Sequence, residues 1–254
     1  MTTDVAQQLW QARVGATKLA KDFPGAPATE TEGYAIQAAM IAASGLPLAG
    51  WKIGATVEAL FAMLGVSQPF LGPLFQRFIH DNGVELPVLP GTSIESEVTV
   101  RLQSDLPSRP QPYERAELEA AVAAIYPSFE IVGARFEGAL AGAGFRVIAD
   151  GGANIGTILG PEIGDWGDYD LADHPVKLSI NGELVNAGST AVLLWDHVFD
   201  ALGWCLQQPS VSARGLCAGD LIMTGTTTGI TPISPGDSAV ADFGAMGQVQ
   251  ASFV

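Results

Sequence analysis

Positive charge is scarce in this sequence. Its 254 residues carry 12 Lys and Arg against 27 Asp and Glu, a formal charge of −15 at pH 7. A surface this negative repels phosphate backbones and anionic headgroups, and no Lys/Arg cluster offsets it, so nucleic acid and membrane surfaces are disfavoured partners. The same field opposes small anionic substrates unless a metal ion or a placed cation inverts it locally. Cysteine is nearly missing: Cys205 and Cys217 make no disulfide framework. Histidine occurs only as His80, His174 and His197, none in a zinc-binding spacing. No phosphate-binding P-loop, dinucleotide fingerprint or nucleophile elbow is present. No apolar run approaches the ~20 residues of a membrane span. The opening Met1-Thr2-Thr3-Asp4 lacks the basic start of a signal peptide, so a cytoplasmic protein is expected.

What is present is apolar and rich in turns. Residues of the apolar set make up 48% of the chain, which excludes general disorder. Thirty glycines and 16 prolines suggest many turns between short strands. The spacing of Val5, Leu9, Ala12, Ala16, Leu19 and Phe23 predicts a helix over 4–23. Thr29 with Glu32 three residues on predicts a capped helix running to Ser44-Gly45. A strand follows at 48–54, then a short helix at 57–64 and a loop at 68–75. Alternation predicts a strand over 94–102. Helix is expected at 114–126, and strands at 129–132 and 145–149. Asn181-Gly182 marks a hairpin within 176–185. A helix at 191–207 and strands at 221–224, 238–243 and 248–253 complete the reading. The class is α+β, with a helical N-terminal third (1–80) and a strand-rich remainder (81–254) forming one functional unit.

One tripeptide carries most of the chemistry. In a strand, Glu95 and Glu97 of Glu95-Ser96-Glu97 point the same way, their roots roughly 6.5–7 Å apart. Like charges at that spacing call for a cation, and an all-oxygen pair favours a hard one, Mg2+ or Mn2+. Glu130 stands in the otherwise apolar Phe129-Glu130-Ile131-Val132, where a carboxylate needs a partner. Lys52 sits among glycines in Gly50-Trp51-Lys52-Ile53-Gly54, a setting suited to binding a carboxylate or oxyanion.

These segments resemble the fumarylacetoacetate hydrolase superfamily, most closely its branch of 2-oxopent-4-enoate hydratases and 4-oxalocrotonate decarboxylases. The resemblance runs from about residue 33 to 253. It rests on Gly50 to Thr56, Gly72-Pro73-Leu74-Phe75, Ile94 to Glu97, Phe129 to Arg135, Ile148-Ala149-Asp150, and Gly219 to Thr226 before Pro235-Gly236-Asp237. It implies a mixed β-roll core and a divalent metal on Glu95, Glu97 and Glu130. Lys52 and Asp150 are the implied catalytic residues. Gly54, Arg77, Thr224, Gly225 and Thr226 are the implied substrate contacts, and a homo-oligomer is the expected assembly. The implied substrates are 2-oxo acids or their enols, whose carboxylate and keto oxygens form a natural chelate. A metal there stabilises an enolate as a neighbouring bond breaks.

The expected reaction is hydration of a 2-oxoalkenoate or its 2-hydroxydienoate form, or decarboxylation of a related oxo-diacid. The alternatives are an acylpyruvate-type C–C hydrolase, for which no matching His is found, and a non-catalytic metal-chelate binder. Three places depart from the family pattern. Arg77 stands where an Asp is usual, Asp150-Gly151-Gly152-Ala153 replaces an Asp-Asn-Ala-Ser-like segment, and His197-Val198 replaces His-Pro. Arg77 stays protonated and cannot act as a base, so it is expected to grip a second anionic group on the substrate, leaving proton transfer to Asp150 or a metal-bound water.

Overall fold

A computed structural model describes residues 2–254. Two helices open the chain, α1 (Thr2–Val14) and α2 (Glu30–Ser44). The first is shorter than its apolar spacing predicts. It stops at Gly15-Ala16, where Ala16 takes φ 49, and Leu19 then bridges to Phe136 instead of continuing the stripe. The second helix is capped as expected: the Thr29 hydroxyl accepts from the Glu32 N–H, and Gly45 closes it at φ 62.

The next elements are β1 (Leu48–Gly54), α3 (Ala59–Leu64) and β2 (Phe70–Phe75). The expected loop at 68–75 is thus largely strand. β2 lies at the end of its sheet, where Pro73 is tolerated without a ladder N–H. Three short or long strands follow: β3 (Ile79–Asp81), β4 (Glu85–Leu86) and β5 (Ser93–Leu102). Only α4 (Arg115–Ala120) of the expected 114–126 helix is helical. Val122 and Ile125 begin the eleven-residue strand β6 (Val122–Val132). The expected strand at 145–149 is instead helix α5 (Gly144–Ala149), because a short apolar run fits either state.

β7 (Asn154–Leu159) and the hairpin β8 (Pro175–Ile180)–β9 (Glu183–Ser189) come next, the latter turning at Asn181 (φ 53) and Gly182 (φ 82) as predicted. The expected helix at 191–207 is confined to α6 (Asp200–Leu206) after one 3-10 turn at Thr190–Val192. The chain ends with α7 (Pro209–Ser212), β10 (Leu221–Thr226), β11 (Thr231–Pro232), β12 (Ser238–Asp242) and β13 (Gln248–Phe253).

Eight strands form one mixed sheet in the order β2-β1-β10-β5-β6-β7-β3, with β11 on β5. Its two ends, β2 and β3, are joined in sequence by the single 3-10 turn Gln76–Phe78. Three residues cannot span a flat sheet of that width, so the sheet curls into a roll. Strands β4-β13-β12-β8-β9 make a second sheet. β1 pairs in parallel with β10, which sets an early strand beside a late one in the same sheet. Helices segregated from mixed curled sheets make this an α+β fold.

Candidate metal centre

The longest pairing in the molecule builds the centre. β5 and β6 run antiparallel in a register that sets Glu95 directly opposite Glu130. Residues opposite one another have Cβ atoms about 4.5–5.5 Å apart. Glu97, two residues on, shares the face of Glu95. One carboxylate oxygen from each of Glu95, Glu97 and Glu130 lies within 4.8 Å of the others, and all three residues are buried. Glu97 Oε2 accepts from the Gly225 N–H at 2.8 Å. Glu130 Oε1 accepts from Asn154 Nδ2 at 3.0 Å and lies 3.2 Å from Lys52 Nζ.

That leaves Glu97 Oε1 and Glu130 Oε2 buried with no partner in the protein. Unsatisfied buried carboxylate oxygens are costly, and a hard divalent ion satisfies them. Without one, burial and mutual repulsion disfavour ionisation. The Glu95 carboxyl is pushed up to about 8, by desolvation first and by Glu130 second, against the pull of Lys52. Glu97 rises well above the usual carboxylate range for the same leading reason. The three residues therefore fit a metal.

The glycines around Lys52 make room for its stem. The residue is 3% exposed, on β1, with Nζ 5.3 Å from the Phe70 ring centroid. A Cβ at Gly152 would come within 2.4 Å of Lys52 Cε, and one at Gly54 would enter the Phe70 ring. Gly225 takes φ 115, and a Cβ there would overlap the Thr56 side chain at 2.0 Å from Oγ1. Only glycine lets the β10 backbone turn its N–H onto Glu97. Beside Lys52 and Glu95 lies a cavity of about 30 Å3, walled by Leu60, Leu64, Phe70, Val132 and Ile230. Lys52 and Glu95 are the only titratable side chains on that wall among the described residues.

The other expected site residues divide. Thr226 Oγ1 is buried and unpartnered, free to meet a ligand. Thr224 is a brace, its hydroxyl donating to Val98 O at 2.8 Å. Asp150 lies outside the carboxylate group. Both its oxygens are held by Arg135, through the N–H at 2.9 Å and Nε at 2.8 Å, which anchors the 150–154 turn. Arg77 is exposed on the 3-10 turn, 5.9 Å from the Phe78 ring centroid, and does not line the cavity. The three histidines are likewise absent from that wall.

Two residues were not found from sequence. Asn154 holds Glu130, and Arg13 holds Asn154, its Nη2 donating to Asn154 Oδ1 at 3.2 Å. Arg13 is 141 residues away in the chain and looked like an ordinary helix-face arginine, so no local signal marked it.

Comparison with known proteins gives relatives of the chain and of its fold. Residues 76–254 match the family described as "Fumarylacetoacetate (FAA) hydrolase C-terminal". A 4-oxalocrotonate decarboxylase of Pseudomonas putida is 29% identical over 217 residues, covering 83% of this chain and 79% of that protein. 2-Keto-4-pentenoate hydratase 1 of Dechloromonas aromatica (strain RCB) is 30% identical over 218 residues, covering 83% and 80%. Among solved structures, 4-oxalocrotonate decarboxylase from Pseudomonas putida G7, complexed with magnesium and adipate, superposes with a TM-score of 0.88 at 26% identity, over 100% of this chain and 97% of that one. The same enzyme is also known with calcium and acetate.

Proposed function

The chain belongs to the fumarylacetoacetate hydrolase family, and on that footing we propose that it is a metal-dependent lyase of the hydratase/decarboxylase type that hydrates a 2-oxoalkenoate with an uncharged tail. The observation that carries this reading is the buried trio Glu95, Glu97 and Glu130 with Lys52 at 3.2 Å, opening on an apolar wall. These carboxylates would hold Mg2+ or Mn2+, since their donor set is all oxygen. When bound, the ion supplies Lewis acidity toward the two oxygens of a 2-oxo acid.

The protein's own groups do the rest. Gly225 N–H and Asn154 Nδ2 each fix one oxygen of Glu97 and Glu130, so the second oxygens stay aimed inward. Lys52 Nζ carries the only positive charge on the cavity wall and meets the substrate carboxylate or a developing oxyanion. With Asp150 taken up by Arg135 and Glu95 given to the metal, Lys52 is the group placed to hold or move a proton. Leu60, Leu64, Phe70 and Ile230 exclude water from the reacting face. A cavity of about 30 Å3 holds little more than one water, so binding requires some of these side chains to move aside.

The choice of a mono-acid over an oxo-diacid follows from the same wall. No second cation lines it, so a second carboxylate would be buried unpaired. The test is turnover of 2-hydroxypenta-2,4-dienoate with Mg2+, against a dienoate carrying a second carboxylate. Loss of dienol absorbance on the mono-acid, abolished by EDTA, supports the proposal. Faster loss on the diacid with CO2 release makes the enzyme a decarboxylase. Pyruvate plus a second acid from an acylpyruvate makes it a hydrolase, and no turnover of any of these leaves a binder.

A further inference from the structure

A larger cavity, of about 220 Å3, lies behind the metal centre and shares no lining residue with the small one. The two sit on opposite faces of β6: Glu130 points to the carboxylates, and Ile131, the next residue, lines the rear cavity. Its charge runs against that of the molecule. Arg13, Lys18 and Arg135, three of the twelve Lys and Arg, line it, and among the described residues no Asp or Glu does.

Arg135 spends four of its five guanidinium N–H groups on the Asp150 carboxylate and the carbonyls of Gly133, Asn154 and Asp150. Arg13 is less fully engaged. The side chain is 8% exposed, and its Nε and Nη1 find no acceptor in the protein. Its Cζ lies 4.5 Å from the Phe78 ring centroid, which holds the guanidinium in place. Lys18 Nζ spends one proton on Pro90 O at 3.1 Å and has others free. The rest of the wall is largely apolar, from Leu86 to Leu89 and from Ile131 and Ile155.

We propose that this rear cavity is a binding site for a small organic monocarboxylate with an apolar body, whose carboxylate is received by Arg13 and Lys18. Buried guanidinium N–H groups without acceptors are unfavourable, and a carboxylate satisfies them through charge-assisted bonds. The apolar body fits the Leu86–Leu89 wall. The site reaches the metal centre through two hydrogen bonds: Arg13 donates to Asn154, and Asn154 donates to Glu130.

The test is calorimetric titration of the full chain with benzoate, with benzyl alcohol as the uncharged control. EDTA is present so that no metal held by the glutamate trio can draw the probe. Benzoate binding with no binding of benzyl alcohol is expected. Arg13→Met should weaken it by roughly tenfold or more, the loss of a charged hydrogen-bond donor. Val88→Trp, which fills the cavity from its rim and leaves Arg13 in place, should do the same if Arg13→Met fails to fold. Lys52→Met should leave it unchanged. The proposal is overturned if wild-type chain binds no benzoate at millimolar concentration, if Val88→Trp binds it as wild type does, or if Lys52→Met abolishes it.

Discussion

The two sheets of this protein obey different rules. In the five-stranded sheet, burial alternates: Val249, Ala251 and Phe253 of β13 are buried while Gln248, Gln250 and Ser252 are exposed. That is a sheet with one face on the core and one in water. In the eight-stranded sheet, β1, β2, β5, β6 and β10 are buried on nearly every residue, and their polar residues lie inside with the apolar ones. Lys52, Glu95, Glu97, Ser128, Glu130, Thr224 and Thr226 are all there. The five-stranded sheet keeps its buried face apolar, though Leu184 and Val185 of β9 stay exposed. The eight-stranded sheet accepts desolvated charge, which serves stability poorly and chemistry well.

Changes at the metal centre break that contrast most strongly. Glu97→Gln should abolish Mg2+-induced thermal stabilisation and lower kcat/KM by several kcal/mol of transition-state stabilisation, about three orders of magnitude or more. The same variant should raise the melting temperature of the metal-free protein at alkaline pH, because it removes a buried carboxyl whose ionisation is disfavoured. Calorimetry with and without Mg2+ reads both signs, and a lowered metal-free melting temperature at that pH would refute this account.

The pH dependence sharpens the point. Glu95, raised from 4.5 to about 8, has a higher pKa folded than unfolded. Its contribution to stability is therefore present below about 4.5 and lost as pH rises toward about 8, and Glu97 shifts the same way. In EDTA the protein should melt higher at pH 6 than at pH 8, by an amount on the order of a few kcal/mol. The stabilisation by Mg2+ should be larger at pH 8, where it no longer competes with protons. Equal melting temperatures at both values in EDTA would count against the raised carboxyls.

Smaller effects follow. Lys52→Met keeps the stem and removes the charge. It should cost roughly tenfold or more in kcat/KM, about 1.4 kcal/mol, with the fold intact. Gly182→Ala strains the positive φ of the β8–β9 turn and should cost about 1 kcal/mol of stability without changing Mg2+ affinity. Altered metal affinity in that variant would mean the two sheets are coupled. Arg77→Ala should change stability by no more than about 0.5 kcal/mol and leave substrate preference alone, as an exposed position does.

The sequence made some of this legible and hid the rest for physical reasons. Glu95-Ser96-Glu97 is readable because strand alternation is local, and Lys52 because it is a lone cation between glycines on β1, although the glycines that admit its stem, Gly72 and Gly152, come from other segments. Asn181-Gly182 and Thr29 with Glu32 are likewise local devices. Residues 114–126 misled because Leu118, Val122 and Ile125 fit a helix face as well as they fit the end of a helix and the start of a strand. Phe145 to Ala149 is too short for its periodicity to decide. The engagement of Asp150 by Arg135, of Glu130 by Asn154, and of Asn154 by Arg13 depends on which segments the roll brings together, and no spacing encodes that.

The parallel pairing of β1 with β10 has one more consequence. The segment matching the family begins at residue 76, so a truncated chain starting there would lack both β1 and β2. Leu221, Ile222 and Met223 of β10 would lose their partner strand and present an open apolar edge. Such edges recruit one another, and the fragment should aggregate rather than fold. The family segment is a signature of ancestry and not a module that can be excised.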